Sequence, residues 1–213
     1  MQEPKPTIHE ANESHRLYSS EDEKAALEAR NGLLQFDAIV QIVEESGDTL
    51  ALTPGVIKQL HYLAIKDIYS FAGQFRDGEV GIAGAAHEPP HPDHVPILIQ
   101  EMCKYANQHQ HEAIHAAAYL MWRMNWIHPF FDGNGRTSRA VSYLALSISL
   151  GLVLPGTPTI PDQIVSHREP YYQALLYADS AWDQGLLDLR RMEELISTLL
   201  ERQLGSDQGP SPG

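Results

Sequence analysis

Two apolar helical stripes with a polar, glycine-rich stretch between them constrain this chain more than any other feature. Ile114, Ala117, Ala118, Met121, Trp122 and Asn125 recur at the spacing of one helix face, and Val141, Leu144, Ala145 and Ile148 resume it until Gly151. Between them runs His128-Pro129-Phe130-Phe131-Asp132-Gly133-Asn134-Gly135-Arg136-Thr137-Ser138-Arg139, which is held between the two helices. Other stripes are Val56, Ile57, Leu60, Leu63, Ala64 and Ile68 after a Thr53 cap and Pro54, then Ile97 to Ala106, Tyr172 to Leu176 and Met192 to Leu200. A mostly α, single-domain fold is expected over residues 21–204, with flexible tails at 1–20 and 205–213, where Pro, Ser, Gly and polar residues concentrate. One stretch breaks the pattern. From Phe75 to Val95, glycines at 78, 81 and 84 and the prolines around His91 allow a short β-hairpin and a loop but no helix.

The interhelical loop carries chemistry that a turn does not need. Glycines let the backbone turn sharply and aim N–H groups at an anion, and the positive end of the next helix lies just beyond. Gly133, Asn134 and Gly135 are the expected phosphate nest, and Arg136 and Arg139, three apart, can present guanidiniums to phosphate oxygens from one face. Asp132 offers the hard oxygen ligand that a phosphate-bound Mg²⁺ takes. His128 titrates near neutrality when unperturbed, so it suits the removal of a proton from an attacking hydroxyl. Gly-Asn-Gly by itself would be an ordinary turn, but base, acid, amide nest and cations follow one another here without filler.

Position for position, this run resembles the signature of the Fic family, HPFx[D/E]GNGRxxR, with no specified position departing from it. The resemblance extends less specifically to Tyr69–Arg76 and to Arg168–Leu175. It implies a Fic-like helical fold and transfer of AMP from ATP to a Ser, Thr or Tyr hydroxyl of a protein target, with self-modification as a further outcome. His128 would be the base, Asp132 the Mg²⁺ ligand, and Gly133, Asn134, Gly135, Arg136 and Arg139 the nucleotide site, where the loop backbone and the Asn134 side chain would cradle the α-phosphate, with Phe130 as a packing residue. It also implies that the hairpin, at Val80, Gly81 and Ile82, is a flap on which a target segment docks by strand addition. Many members carry an inhibitory glutamate in the pattern [S/T]xxxE[G/N], which pairs with the second motif arginine. Glu28 is the candidate, although Lys24 and Ala29 stand at the flanking positions; Glu201 has the spacing but is followed by Arg202.

Alternatives share the loop. Family members transfer another phosphate-containing group or remove AMP, and the phosphotransferase branch departs at the second glycine, which Gly135 retains. A non-catalytic nucleotide-binding module would need neither His128 nor Asp132. A zinc protease reading rests on His111-Glu112-Ala113-Ile114-His115, which matches HExxH, but Ala118 and Met121 stand where a metzincin continuation needs glycine and histidine. His87, His91 and His94 are separated by prolines and form no completed ligand set.

The formal charge of −13 opposes nucleic acid as a partner, since phosphate backbones are bound by basic faces. A lone Cys103 excludes an internal disulfide and fits a reducing compartment. The start, Met-Gln-Glu-Pro-Lys, lacks the apolar core of a signal peptide, and the longest apolar stretch, Tyr143 to Leu154, is too short to cross a bilayer. A cytoplasmic protein without a membrane or nucleic-acid partner is expected.

Overall fold

The computed structural model describes residues 14–47, 49–82 and 87–206, and these form eight α-helices. In chain order they are α1 (Glu21–Ser46), α2 (Pro54–Ile65), α3 (Val95–Gln108), α4 (Ala113–Ile127), α5 (Asn134–Ser149), α6 (Ile160–Ser166), α7 (Glu169–Trp182) and α8 (Arg190–Gly205). A 3-10 turn at Pro92–His94 leads into α3.

The centre is the α4–α5 pair. From Ala116 to Met124 every residue of α4 is buried, as is every residue of α5 from Ala140 to Ile148. Helix segments buried on every side need neighbours all round, and the other helices supply them. α1 and α2 pack on α5, α3 lies on α4, and α7 and α8 cover α4 from another side. Trp122, Tyr143, Phe130, Met121 and Met124 fill the interior. The helix starts follow local chemistry: Ser20 Oγ accepts from Glu23 N, Thr53 caps α2 ahead of Pro54, and Thr159 and Asp162 close a capping box on α6.

Two expectations are altered. Residues 1–13 of the expected N-terminal tail lie outside the described residues, but the following stretch is docked. Leu17 N–H donates to Ile68 O and Ser70 N–H to His15 O, both at 2.9 Å, around an antiparallel Arg16–Tyr69 bridge. The expected hairpin at Val80, Gly81 and Ile82 does not appear as a ladder among the described residues. Residues 74–82 run without strand pairing, Val80 is buried, and residues 83–86 lie outside the described residues. The Arg76 guanidinium takes the carbonyls of Gly78 and Pro90, which ties the segment down by a side chain where a ladder would have used main chain.

Candidate active site

The site forms where α4 ends. His128 closes that helix in the left-handed conformation, φ 49° and ψ 59°. A non-glycine residue there costs roughly 1 kcal/mol or more, and such strain persists only where surroundings fix it. They do so here: His128 N–H donates to Met124 O at 3.0 Å, and Arg76 Nε donates to His128 O at 2.8 Å. The imidazole faces Asn125 O through Nδ1 at 3.3 Å. A carbonyl only accepts, so Nδ1 holds the proton and Nε2 is left with its lone pair. Burial pushes the His128 pKa down to about 4, with the Arg76 and His87 charges acting in the same direction. The ring is therefore neutral at pH 7, the state in which it accepts a proton.

A clamp shapes the loop beyond it. Asn134 Oδ1 accepts Phe130 N–H at 3.0 Å and its Nδ2 donates to Phe130 O at 2.8 Å. This corrects the expected role of the Asn134 side chain in cradling phosphate: both of its polar atoms are used on Phe130, and it is buried. What Asn134 offers outward is main chain. Gly133 precedes α5 at φ 77° and has no side chain with which to cap the first-turn N–H groups, which by helix geometry lack intrahelical acceptors. A Cβ at Gly133 would stand 3.0 Å from Ile65 Cγ2 and 3.2 Å from His61, so glycine is required twice over.

The three charged residues are unequal. Asp132 Oδ1 accepts Gly133 N–H and lies 3.7 Å from Arg136 Nη2. Arg136 Nη1 is 3.0 Å from Glu28 Oε1, so Glu28 does reach the motif, but at its first arginine; the family pattern led to the second. Just beyond Glu28, Asn31 Nδ2 donates to Lys66 O at 2.7 Å and Arg30 pairs with Asp67 at 2.6 Å, which joins this part of α1 to the end of α2. Arg139 carries no carboxylate among the described residues. Burial pulls its pKa down, and the neighbouring Arg168 and Arg136 charges add to this.

Three supporting residues escaped sequence reasoning about the site. His61 stacks flat on Phe130, accepts Gly73 N–H at Nδ1 and donates from Nε2 to Asp132 O at 2.9 Å. Asn125 Nδ2 donates to Ser138 Oγ at 2.9 Å and to Tyr171 OH at 2.7 Å, which links the base-bearing helix to α5 and α7. Arg76 is buried behind His128. His61 occurs in an otherwise apolar stripe, where a histidine reads as a core residue, and Asn125 sits one turn before the base; neither spacing announces a partner.

The zincin string falls apart in the structure. α4 begins only at Ala113, so His111 and His115 do not share a helical turn. His115 Nδ1 is 2.6 Å from Glu193 and its Nε2 is 2.8 Å from Tyr105 OH. His87 stacks on Trp126 and its Nε2 meets Trp126 O. No group of three His, Cys, Asp or Glu residues is assembled as a metal cage among the described residues.

Residues 51–146 match the Fic/DOC family, a span that holds α2 through most of α5 and the whole motif. Over that span the chain is similar to a Fic domain. It is 29% identical over 186 residues to the protein adenylyltransferase Fic of Drosophila persimilis, with 84% of this chain and 33% of that protein covered. The namesake of Drosophila mojavensis is 30% identical, with 84% and 34% covered. The chain thus spans about a third of the length of these relatives. The crystal structure of a Fic domain containing signaling protein from Bacteroides thetaiotaomicron superposes with a TM-score of 0.71 at 19% identity, over 92% of this chain and 77% of that one, and shows the same fold. The mostly α reading and the family reading of the Fic domain both stand. No helix among the described residues is long and apolar enough to cross a membrane.

Proposed function

We propose that this Fic domain transfers AMP from ATP to a hydroxyl of a protein side chain. The observation that carries the reading is the juxtaposition at one helix end of a neutral imidazole, whose proton is held at Nδ1 by Asn125 O, with the uncapped N-terminus of α5. His128 Nε2 takes the proton from the target hydroxyl, the oxygen forms a bond to the α-phosphorus, and the bond from that phosphorus to the bridging oxygen breaks to release pyrophosphate. The α5 N-terminus and its glycine-flanked amides stabilise the charge that accumulates on the α-phosphate. Arg136 and Arg139 neutralise the outgoing phosphates. Phe130 and His61, face to face at 3.5 Å, keep the loop from drifting, which matters because such transfers draw their rate from positioning and charge.

Mg²⁺ fits the donor set through Asp132: one carboxylate oxygen is engaged by Gly133 N–H, and a single protein carboxylate completed by phosphate oxygens and water is how this ion is commonly held. When bound, it would neutralise phosphate charge. Val80, Gly81 and Ile82, just upstream of the site, are the proposed place for the target's main chain. Similarity to the insect adenylyltransferases, by name, supports AMP as the transferred group, and the protein relatives support a protein target. Glu28 is proposed as a brake on this site, since its carboxylate holds a guanidinium meant for phosphate.

The deciding experiment supplies Mg²⁺, a cell extract and ATP labelled at either the α- or the γ-phosphate. Label on protein from the α-position alone is expected. Label from the γ-position alone replaces AMP transfer by phosphorylation, and label from neither removes the transferase reading under these conditions.

A further inference from the structure

Arg76 is buried to 3% exposure, and its side chain reaches two separate stretches of main chain. Nε donates to His128 O at 2.8 Å, and Nη2 lies 3.4 Å from Ile127 O. On the other side Nη1 donates to Gly78 O at 2.9 Å, and Nη2 donates to Pro90 O. Its own N–H adds a bond to Pro129 O at 2.9 Å. One planar, five-donor group therefore joins the residues that carry the base to Gly78 and Pro90, twelve positions apart in sequence, which bracket the segment containing Val80, Gly81 and Ile82.

We propose that Arg76 is a positioning residue for the transfer: it fixes the left-handed backbone of His128 relative to the main chain at Gly78 and Pro90, so that base and incoming hydroxyl meet in one geometry. This rests on His128 being the base. The helix alone does not secure that geometry, because α4 has ended and a left-handed residue needs external bonds to stay put. Lysine cannot replace the fork: a single ammonium reaches one or two carbonyls and lacks the flat spread of donors. The charge has its own effect, since a cation next to His128 disfavours the imidazolium, in line with the lowered basicity of that ring.

Two variants separate positioning from simple support of the fold. Arg76→Lys keeps the charge and loses the fork; Arg76→Gln loses both. Both are examined by thermal unfolding, by ATP affinity, by kcat and KM for α-labelled transfer to protein, and by NMR titration of the His128 ring. The expectation is that kcat falls roughly a hundredfold in both, as for a misplaced reacting group, while ATP affinity is kept. The His128 titration should move to higher pH in Arg76→Gln and stay in place in Arg76→Lys. Wild-type kcat in either folded variant overturns the proposal, as does a parallel loss of ATP affinity, an unmoved titration in Arg76→Gln, or a titration that moves equally in both. Failure of both variants to fold also overturns it, because Arg76 would then serve the fold alone. If the wild-type protein transfers no label, the AMP reading has failed, and the NMR titrations still decide whether Arg76 acts on His128.

Discussion

Glu28 Oε1 lies 3.0 Å from Arg136 Nη1, whereas Arg139, three residues further along α5, has no carboxylate partner among the described residues. The two motif guanidiniums are thus in different states before any nucleotide arrives. Arg136 is shared between Glu28 and Asp132, with its side chain 27% exposed, while Arg139 holds a charge that burial makes costly to keep. A phosphate gains most at Arg139, and at Arg136 it has to displace a carboxylate.

That competition sets the first prediction. The Glu28–Arg136 pair is partly exposed, so its net worth is about 0.5–1 kcal/mol and the gain on removing it is modest. Glu28→Gly should raise ATP affinity and AMP transfer, self-modification included, by roughly two- to fivefold. Glu201→Gly, on the exposed side of α8, should leave both unchanged. Equal transfer by wild type and Glu28→Gly, measured with α-labelled ATP, means Glu28 is no brake.

His128→Ala should cut transfer by about two to four orders of magnitude and leave ATP affinity close to wild type, since the base acts on the hydroxyl and the α5 terminus holds the nucleotide. In the wild-type protein the rate should be flat from neutral pH downward and fall only as pH approaches about 4, where the ring gains its second proton. An acidic limb centred at the ordinary 6.5 would contradict the burial that the structure assigns to this ring.

The helical framework was legible because apolar residues of α4 and α5 recur at helical spacing and because the Thr53-Pro54 start has a local cause. The loop was legible because the chemistry of base, acid, glycine and guanidinium is contiguous. Its support was not. Arg76 meets His128 across 52 positions, His61 meets Asp132 across 71, and Glu28 meets Arg136 across 108. No periodicity encodes such pairings; they arise where α1, α2 and the segment after α2 meet the stretch from the end of α4 to the start of α5. The same limit explains Asn134: its residue type suggests an outward ligand, but only the folded loop reveals that Phe130 main chain already uses its amide. The hairpin reading rested on glycines and short apolar residues, a pattern that an extended segment fixed by one arginine also satisfies.

The glycines on either side of Asn134 should respond differently to the same change. Gly133→Ala meets Ile65 and His61 at 3.0–3.2 Å and has to adopt φ 77°, so it should destabilise the fold by on the order of 1–3 kcal/mol and lower Tm clearly. A Cβ at Gly135 meets only the tip of Arg139, Nη1 at 3.3 Å, with no positive φ to satisfy. Gly135→Ala should keep Tm near wild type and weaken ATP binding by disturbing Arg139. Calorimetry paired with ATP titration checks both, and a large Tm loss in Gly135→Ala would refute the distinction.

Two neutral, buried histidines make stability depend on pH. Burial is the main cause that pushes both His61 and His128 from 6.5 to about 4. Below about pH 6.5 these rings bind protons in the unfolded chain and stay neutral in the folded one, so protons favour unfolding. The stability they contribute is fully present above pH 6.5 and is lost as pH falls toward 4. Each unit of pH inside that window costs up to about 1.4 kcal/mol per ring. Urea unfolding between pH 7 and 5, above the range in which most carboxylates titrate, should therefore show a falling midpoint. His61→Gln removes one of the two rings. It should lower stability at pH 7, because Gly73 N–H and Asp132 O lose their imidazole partner, and yet make the decline with acid shallower. A decline as steep as wild type in His61→Gln would show that His61 gains its proton as readily in the folded protein as in the unfolded chain, against its burial and its bonds to Gly73 N–H and Asp132 O.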